Sequence, residues 1–186
     1  MTNKDNIDKW NQIYASGRQF TPVAETLLDN LELSGSRSLD IGCGMGELCA
    51  QLSKRGFEVT GIDLSDYAIG KARVLNPTGS FMAGDFLEQG FDFDAKFDVI
   101  FINKVLAFVT YKPEFIAKAK ALLASGGQIV LITPVLYAAN QANYSERIKS
   151  ISIDHLELMK LLPELGKPIA VREFEDCGKE EVYVIR

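Results

Sequence analysis

The stretch RSLDIGCGMGELCAQLSKRGFEVTGID, Arg37 to Asp63, decides the fold. Ser38 to Ile41 is a short run that stops at a glycine, as a strand buried on both faces does. Gly42, Gly44 and Gly46 follow at alternate positions. Glycine reaches positive φ and carries no Cβ, so a ligand can lie against such a turn. Glu47 to Arg55 reads as a helix, with Leu48, Cys49 and Leu52 spaced for a buried face and Gln51, Lys54 and Arg55 for water. Gly56 suits its C-terminal cap. Phe57 to Ile62 is rich in β-formers. It ends at Asp63, where an acid can accept hydrogen bonds from a ribose diol.

Strand, glycine turn, helix, strand and acid is a general nucleotide signal, and two details narrow it. The dinucleotide pattern G-x-G-x-x-G would need glycine at position 47, where Glu47 stands. Asp40 lies two residues before the first glycine. Two carboxylates flanking the turn oppose a pyrophosphate at the helix N-terminus. A ligand with a cationic amino-acid head suits Asp40 better.

The motif D-I-G-C-G-M-G, with Asp63 closing the next strand, resembles the cofactor site of class I S-adenosylmethionine-dependent methyltransferases. The resemblance extends over roughly Trp10 to Pro134. It implies S-adenosyl-L-methionine as methyl donor and S-adenosyl-L-homocysteine as product. Gly42, Cys43, Gly44 and Gly46 are then expected against the methionine moiety, with Asp40 ordering the turn and reaching the ammonium, directly or through water. Asp63 and Leu64 are expected at the ribose. Asp85 and Phe86, after the third strand, match positions that take the adenine amino group and pack on its ring. The other reading of Asp85 and Phe86 is a turn residue and a core aromatic, and their position after the carboxyl end of a strand favours the ligand reading. Trp10 and Tyr14 match a W-x-x-x-Y segment that closes over cofactor and acceptor in the family, and simple packing against the domain is the other reading. Asn103 faces cofactor or acceptor, or caps its strand. Lys104 reads as solvated rather than as a partner for an acidic acceptor. In build the chain is similar to thiopurine- and tellurite-resistance-type methyltransferases, which implies a small-molecule acceptor. No catalytic base is assigned: a thiol or soft anion needs none, and an alcohol would call on Tyr14, His155 or a neighbour of Asn103.

Composition sets bounds on these readings. A chain of 186 residues suffices for one well-buried domain. A net charge of −5 disfavours a nucleic-acid partner. No apolar run is long enough to cross a bilayer, and the polar start MTNKDNIDKW is unlike a secretory leader, so a cytoplasmic protein is expected. Cys43, Cys49 and Cys177 form no C-x-x-C pair and read as reduced thiols. One histidine, His155, leaves no His-rich metal site. On a helix with apolar neighbours, His155 reads as structural.

Met1 to Asp5 is expected to be disordered, and Asn6 to Tyr14 to be an amphipathic helix. Thr21-Pro22 reads as the start of a second helix running to Glu32. After Asp63, Ser65 caps a helix that Asn76-Pro77 stops. Ser80 to Ala83 and Phe97 to Ile102 are strands, with a loop over Glu88 to Lys96 between them. Pro113 opens a helix from Glu114, and Ser125-Gly126-Gly127 turns into a strand over Gln128 to Thr133. Pro134 to Ile153 is polar and reads as an irregular acceptor wall. Asp154 caps a helix. Pro168 to Glu175 and Glu181 to Ile185 form an antiparallel hairpin across Asp176 to Lys179.

The predicted fold is α/β: a single Rossmann-like methyltransferase domain, with a mostly parallel seven-stranded sheet, a C-terminal antiparallel hairpin and helices on both faces. Residues 1–34 form a helical flap, 35–134 the cofactor-binding core, and 135–186 the acceptor wall and closing hairpin. Monomer and dimer are both open. A non-catalytic S-adenosylmethionine-binding regulator is the second reading and an NAD-linked oxidoreductase the third, which Glu47 opposes. Asp63→Ala is expected to abolish ligand stabilisation while leaving the unliganded melting point nearly unchanged.

Overall fold

The computed structural model describes residues 3–18, 20–88, 93, 95–174 and 178–186. The expected loop at 89–92 and 94, the turn residues Asp176 and Cys177, and Met1 and Thr2 lie outside the described residues.

One sheet organises the chain. Its parallel strands are β1 (Arg37–Ile41), β2 (Glu58–Asp63), β3 (Ser80–Ala83), β4 (Phe97–Asn103) and β5 (Leu123–Leu136). β7 (Ala170–Glu173) and β8 (Lys179–Ile185) complete the order β3-β2-β1-β4-β5-β8-β7, with β8 antiparallel to both neighbours. The seven-stranded expectation needs one addition: β6 (Ile153–Asp154) pairs in parallel with Val135 and Leu136 beyond the main path, making eight strands.

Central strands are apolar at nearly every position because both faces are covered. Leu39 and Ile41, Ile100 and Ile102, and Ile129 and Leu131 face one cluster, which α5 (Lys112–Ala121) covers with Phe115, Ile116 and Ala119 and α7 (His155–Leu161) with Leu158. Val99, Phe101, Val130 and Ile132 face the other, covered by α2 (Glu25–Asn30), α3 (Glu47–Lys54) and α4 (Asp66–Leu75). Asp40 alternates with Leu39 and Ile41 and so lies on the α3 side, where Cys49 Sγ is 3.7 Å from its Oδ2.

The caps expected at Ser65 and Asp154 are present: Ser65 Oγ accepts from Ala68 N–H, and Asp154 from Leu156 and Glu157 N–H. Three segments depart from expectation. α1 (Asn3–Ala15) begins before Asp5. Thr21 to Ala24 is not helical, and α2 starts at Glu25. Its would-be first-turn carbonyls are taken by side chains from elsewhere, Thr21 O by Lys104 Nζ at 3.1 Å and Val23 O by Gln51 Nε2 at 3.1 Å. The supposed irregular wall contains the end of β5, a 3-10 turn at Ala138–Asn143 and α6 (Glu146–Ile151), anchored by buried Tyr144 and Ile148.

Candidate functional site

Strand register brings the expected residues into a row at the carboxyl edge of the sheet. Ile41 pairs with Ile62 on one side and Ile102 on the other. Gly42 therefore emerges between Asp63 and Asn103, where open α/β sheets bind ligands.

The glycine turn is held to β2 by three of its backbone N–H groups, and Asp63 also holds the loop after β2. Ile62 O accepts from Gly42 N–H at 2.7 Å and Cys43 N–H at 3.0 Å. Asp63 Oδ2 accepts from Gly44 N–H and Oδ1 from Ser65 N–H, both at 2.9 Å. Gly42 has φ +78° and Gly44 φ +54°. A Cβ on Gly42 would stand 2.1 Å from Val105 Cγ2, and one on Gly44 2.9 Å from the Tyr14 hydroxyl. Val105 and Tyr14 thus pack directly on the turn and leave no room for a Cβ at either glycine. Gly46, also left-handed, opens α3.

Beneath the turn Asp40 is buried, and its Oδ1 has no hydrogen-bond partner. Burial pushes its carboxyl up to about 7; the Cys49 thiol opposes that, and the charges of Asp63 and Glu47 add to it. Burial also raises Asp63, against the two N–H donors that favour its anion. Cys43 and Cys49 are free, buried thiols held above their usual range. A buried carboxylate oxygen with no partner, next to a glycine turn, fits a ligand that supplies a cationic donor.

α1 crosses above this row. Asn11 Oδ1 accepts from Ser65 Oγ at 2.6 Å. On the other side the Trp10 ring meets Phe108 edge-on at 5.0 Å, and Tyr14 lies 5.4 Å from Phe20. Tyr14 is buried, and desolvation, reinforced by the nearby Asp63, holds its phenol well above the usual value. It stays protonated and is no resting base.

The other expected residues are dispersed. Asp85 is half-buried and accepts from Leu87 N–H at 2.9 Å, leaving its second oxygen free of that turn. Phe86, expected against the adenine ring or in the core, is 5% exposed, meets Phe115 edge-on at 5.0 Å and has Lys118 Nζ 5.2 Å from its ring centre. Leu64 is half-buried beside Asp63. Asn103 Oδ1 is buried without a hydrogen-bond partner. Lys104 is not solvated as expected: at φ 59° it turns back to pair with Glu180 at 3.1 Å. His155 stacks on Tyr137 at 4.6 Å, past the end of β5. That is about five residues, roughly 16 Å along the strand, beyond the level of Asn103.

Reading the sequence missed Asn11, Val105, Phe108 and Glu180. The spacing of Asn11 beside Trp10 gives no sign of its bond to Ser65, and the others are joined to the site only by the fold. Among the described residues no group of three or more His, Cys, Asp or Glu could hold a metal ion, and no helix is long and apolar enough to cross a membrane.

Comparison with known proteins agrees with this geometry. The ubiquinone biosynthesis O-methyltransferase of Bradyrhizobium sp. (strain ORS 278) is 35% identical over 105 residues, covering 54% of this chain and 41% of that protein. Its namesake from Nitrosococcus oceani is 30% identical over 144 residues, covering 67% and 57%. The chain thus spans about half the length of these relatives. Among solved structures, a TehB-like SAM-dependent methyltransferase from Corynebacterium glutamicum superposes with TM-score 0.63 at 19% identity, over 97% of this chain and 96% of that one. The geranyl diphosphate C-methyltransferase of Streptomyces coelicolor A3(2) gives 0.73 at 14%, over 98% and 96%. At these identities the likeness is one of fold. A family profile described as a methyltransferase domain matches residues 14–165, most of the chain, and the chain belongs to that methyltransferase family.

Proposed function

We infer that the chain binds S-adenosyl-L-methionine at the glycine turn and transfers its methyl group to a small-molecule acceptor. The observation that carries this is Asp40, a buried carboxylate with an unpartnered oxygen under a glycine turn clamped to Asp63. Asp40, Gly42, Cys43, Gly44 and Gly46 hold the methionine moiety, Asp63 and Leu64 the ribose, and Asp85 the adenine amino group. Trp10 and Tyr14 cover the site, and Asn103 borders it on the acceptor side. Residues 1–34 act as the cover, 35–134 as the cofactor core and 135–186 as the acceptor wall and closing hairpin. Reduced, buried Cys43 and Cys49 support a cytoplasmic setting.

The bound sulfonium supplies an already activated methyl group, so the protein contributes position more than acid–base power. Holding the reacting groups in near-attack geometry is worth on the order of 7–11 kcal/mol. Tyr14 excludes water above Gly44 as a neutral phenol. No described side chain beside Asn103 is a free base: Glu180 is paired with Lys104, and Glu181 accepts from the Tyr137 and Tyr183 hydroxyls. An acceptor that can lose its proton to solvent, such as a thiol or a phenol, fits this best.

A thermal melt with S-adenosylhomocysteine tests the reading. At one hundred times Kd the stabilisation is about 2.7 kcal/mol, roughly 5–11 °C for a chain of this size. An equal shift with NAD, or none at millimolar S-adenosylhomocysteine, overturns it. A regulator that only binds the cofactor gives the shift but no methyl transfer to small thiols, carboxylates or phenols.

A further inference from the structure

Beside the glycine turn the structure contains a cleft of about 160 Å³ that the cofactor assignments leave unused. It lies between the non-helical segment before α2 and the β7–β8 pair. Val23, Ile132 and Val182 give it apolar walls, and its polar groups are Asn103, Lys104, Arg172 and Glu180. A 150 Å³ apolar cavity holds a benzene ring, so there is room for about one ring or its aliphatic equivalent.

Asn103 ends β4, adjacent to the strand from which Gly42 emerges, so this end of the cleft is about one strand spacing, ~4.8 Å, from the glycine turn. A buried amide oxygen without a partner costs about 1–3 kcal/mol, and a ligand N–H or O–H at this point relieves that cost. Lys104 follows in a left-handed conformation (φ 59°) that a side chain adopts only when its surroundings enforce it. Its ammonium bonds Thr21 O and pairs with Glu180, which is 8% exposed. The pair pins the cleft's two sides together and cancels its own charge. Arg172, opposite Glu180 on β7, is exposed, lies over the Phe174 ring at 5.7 Å and has no salt bridge to a described residue. The net charge of the cleft is therefore one positive, at the end away from Asn103.

We propose that this cleft is the acceptor subsite and that it takes a small apolar carboxylic acid whose far end carries one hydrogen-bond donor. The donor meets Asn103 Oδ1 beside the cofactor turn, the apolar body lies against Ile132 and Val182, and the carboxylate pairs with Arg172. The inference rests on the methyltransferase reading, which fixes what lies next to Asn103.

Calorimetry on the full chain saturated with S-adenosylhomocysteine tests it. The probes are 3-hydroxybenzoate and 4-hydroxybenzoate, each against its methyl ester. The expected result is that at least one acid binds tenfold or more tighter than its ester. Arg172→Gln should remove that preference while leaving ester and S-adenosylhomocysteine affinities unchanged. Acid and ester binding equally, neither binding, or a preference that survives Arg172→Gln overturns the acceptor assignment while the cofactor reading stands. Failure of S-adenosylhomocysteine to bind overturns both.

Discussion

Asp63 is buried with one carboxylate oxygen on Gly44 N–H and the other on Ser65 N–H. The sequence marks it as a ligand contact alone, which would leave the unliganded protein indifferent to its loss. The structure gives it a second duty, because those two buried donors have no replacement acceptor. Leaving both unpaired costs about 1–3 kcal/mol each. Asp63→Ala is thus expected to lower the unliganded melting point by roughly 4–24 °C, as well as removing the S-adenosylhomocysteine shift; an unchanged melt would show that the clamp is dispensable. Asp40 makes a prediction in pH. Its carboxyl titrates at about 7 in the folded protein against 3.8 for the free group. The folded state then holds a proton that the unfolded state releases, so this contribution to stability is complete below pH 4 and is lost as pH rises to about 7. Asp40→Asn should flatten that decline in melts between pH 5.5 and 8. A cationic amino-acid head favours the anion, so S-adenosylhomocysteine binding at pH 6 should release a proton, seen as a dependence of the calorimetric heat on buffer ionisation enthalpy. Heat independent of buffer would mean that Asp40 does not sense the ammonium.

At the scale of elements, the proposed cover is α1. A 13-residue helix is marginal on its own, so its place depends on docking: Asn11 on Ser65 at one side, Trp10 on Phe108 at the other. These anchors sit on the loops after β2 and β4, on either side of the glycine turn. Asn11→Ala is expected to speed S-adenosylhomocysteine dissociation three- to tenfold while moving the melting point by less than about 8 °C, because its Oδ1 accepts two hydrogen bonds, from Ser65 Oγ and Tyr67 N–H, each worth about 1 kcal/mol. Trp10 is the sole tryptophan, so stopped-flow fluorescence reads the helix directly. An unchanged dissociation rate would make α1 packing and not a cover. The strands and the Ser65 and Asp154 caps were legible because they depend on local pattern. Thr21-Pro22 misled because its helix signal is local, while Lys104 and Gln51, which take the carbonyls, arrive from strands and helices far along the chain. Phe86 has two readings in the sequence, an adenine contact or a core aromatic, because the Phe115 ring that packs on it arrives from α5, far along the chain.

For the whole molecule, the glycine turn, Asp63 and the alternation of strands and helices made the sheet readable, and Glu47 turned the reading away from dinucleotides. The proposed acceptor cleft was not readable, because Asn103, Arg172 and Glu180 are brought together only when β8 inserts between β5 and β7. That insertion also carries the last prediction. β8 pairs with β5 from Ile129 opposite Ile185 to Val135 opposite Lys179 and buries Val182, Tyr183 and Ile185. A chain ending at Lys167 loses all of this and leaves β5, the longest strand, as an apolar edge. Losing three such side chains from the core, at about 1.5–3 kcal/mol each, exceeds a large part of the 5–15 kcal/mol that typically separates folded from unfolded. The chain 1–167 should show no cooperative melt. A chain starting at Phe20 loses only α1, gives up Tyr14 from the core, and should melt cooperatively with weakened S-adenosylhomocysteine binding. A cooperative melt from 1–167 would place the folding unit in the glycine-turn half alone and make the acceptor side an appendage.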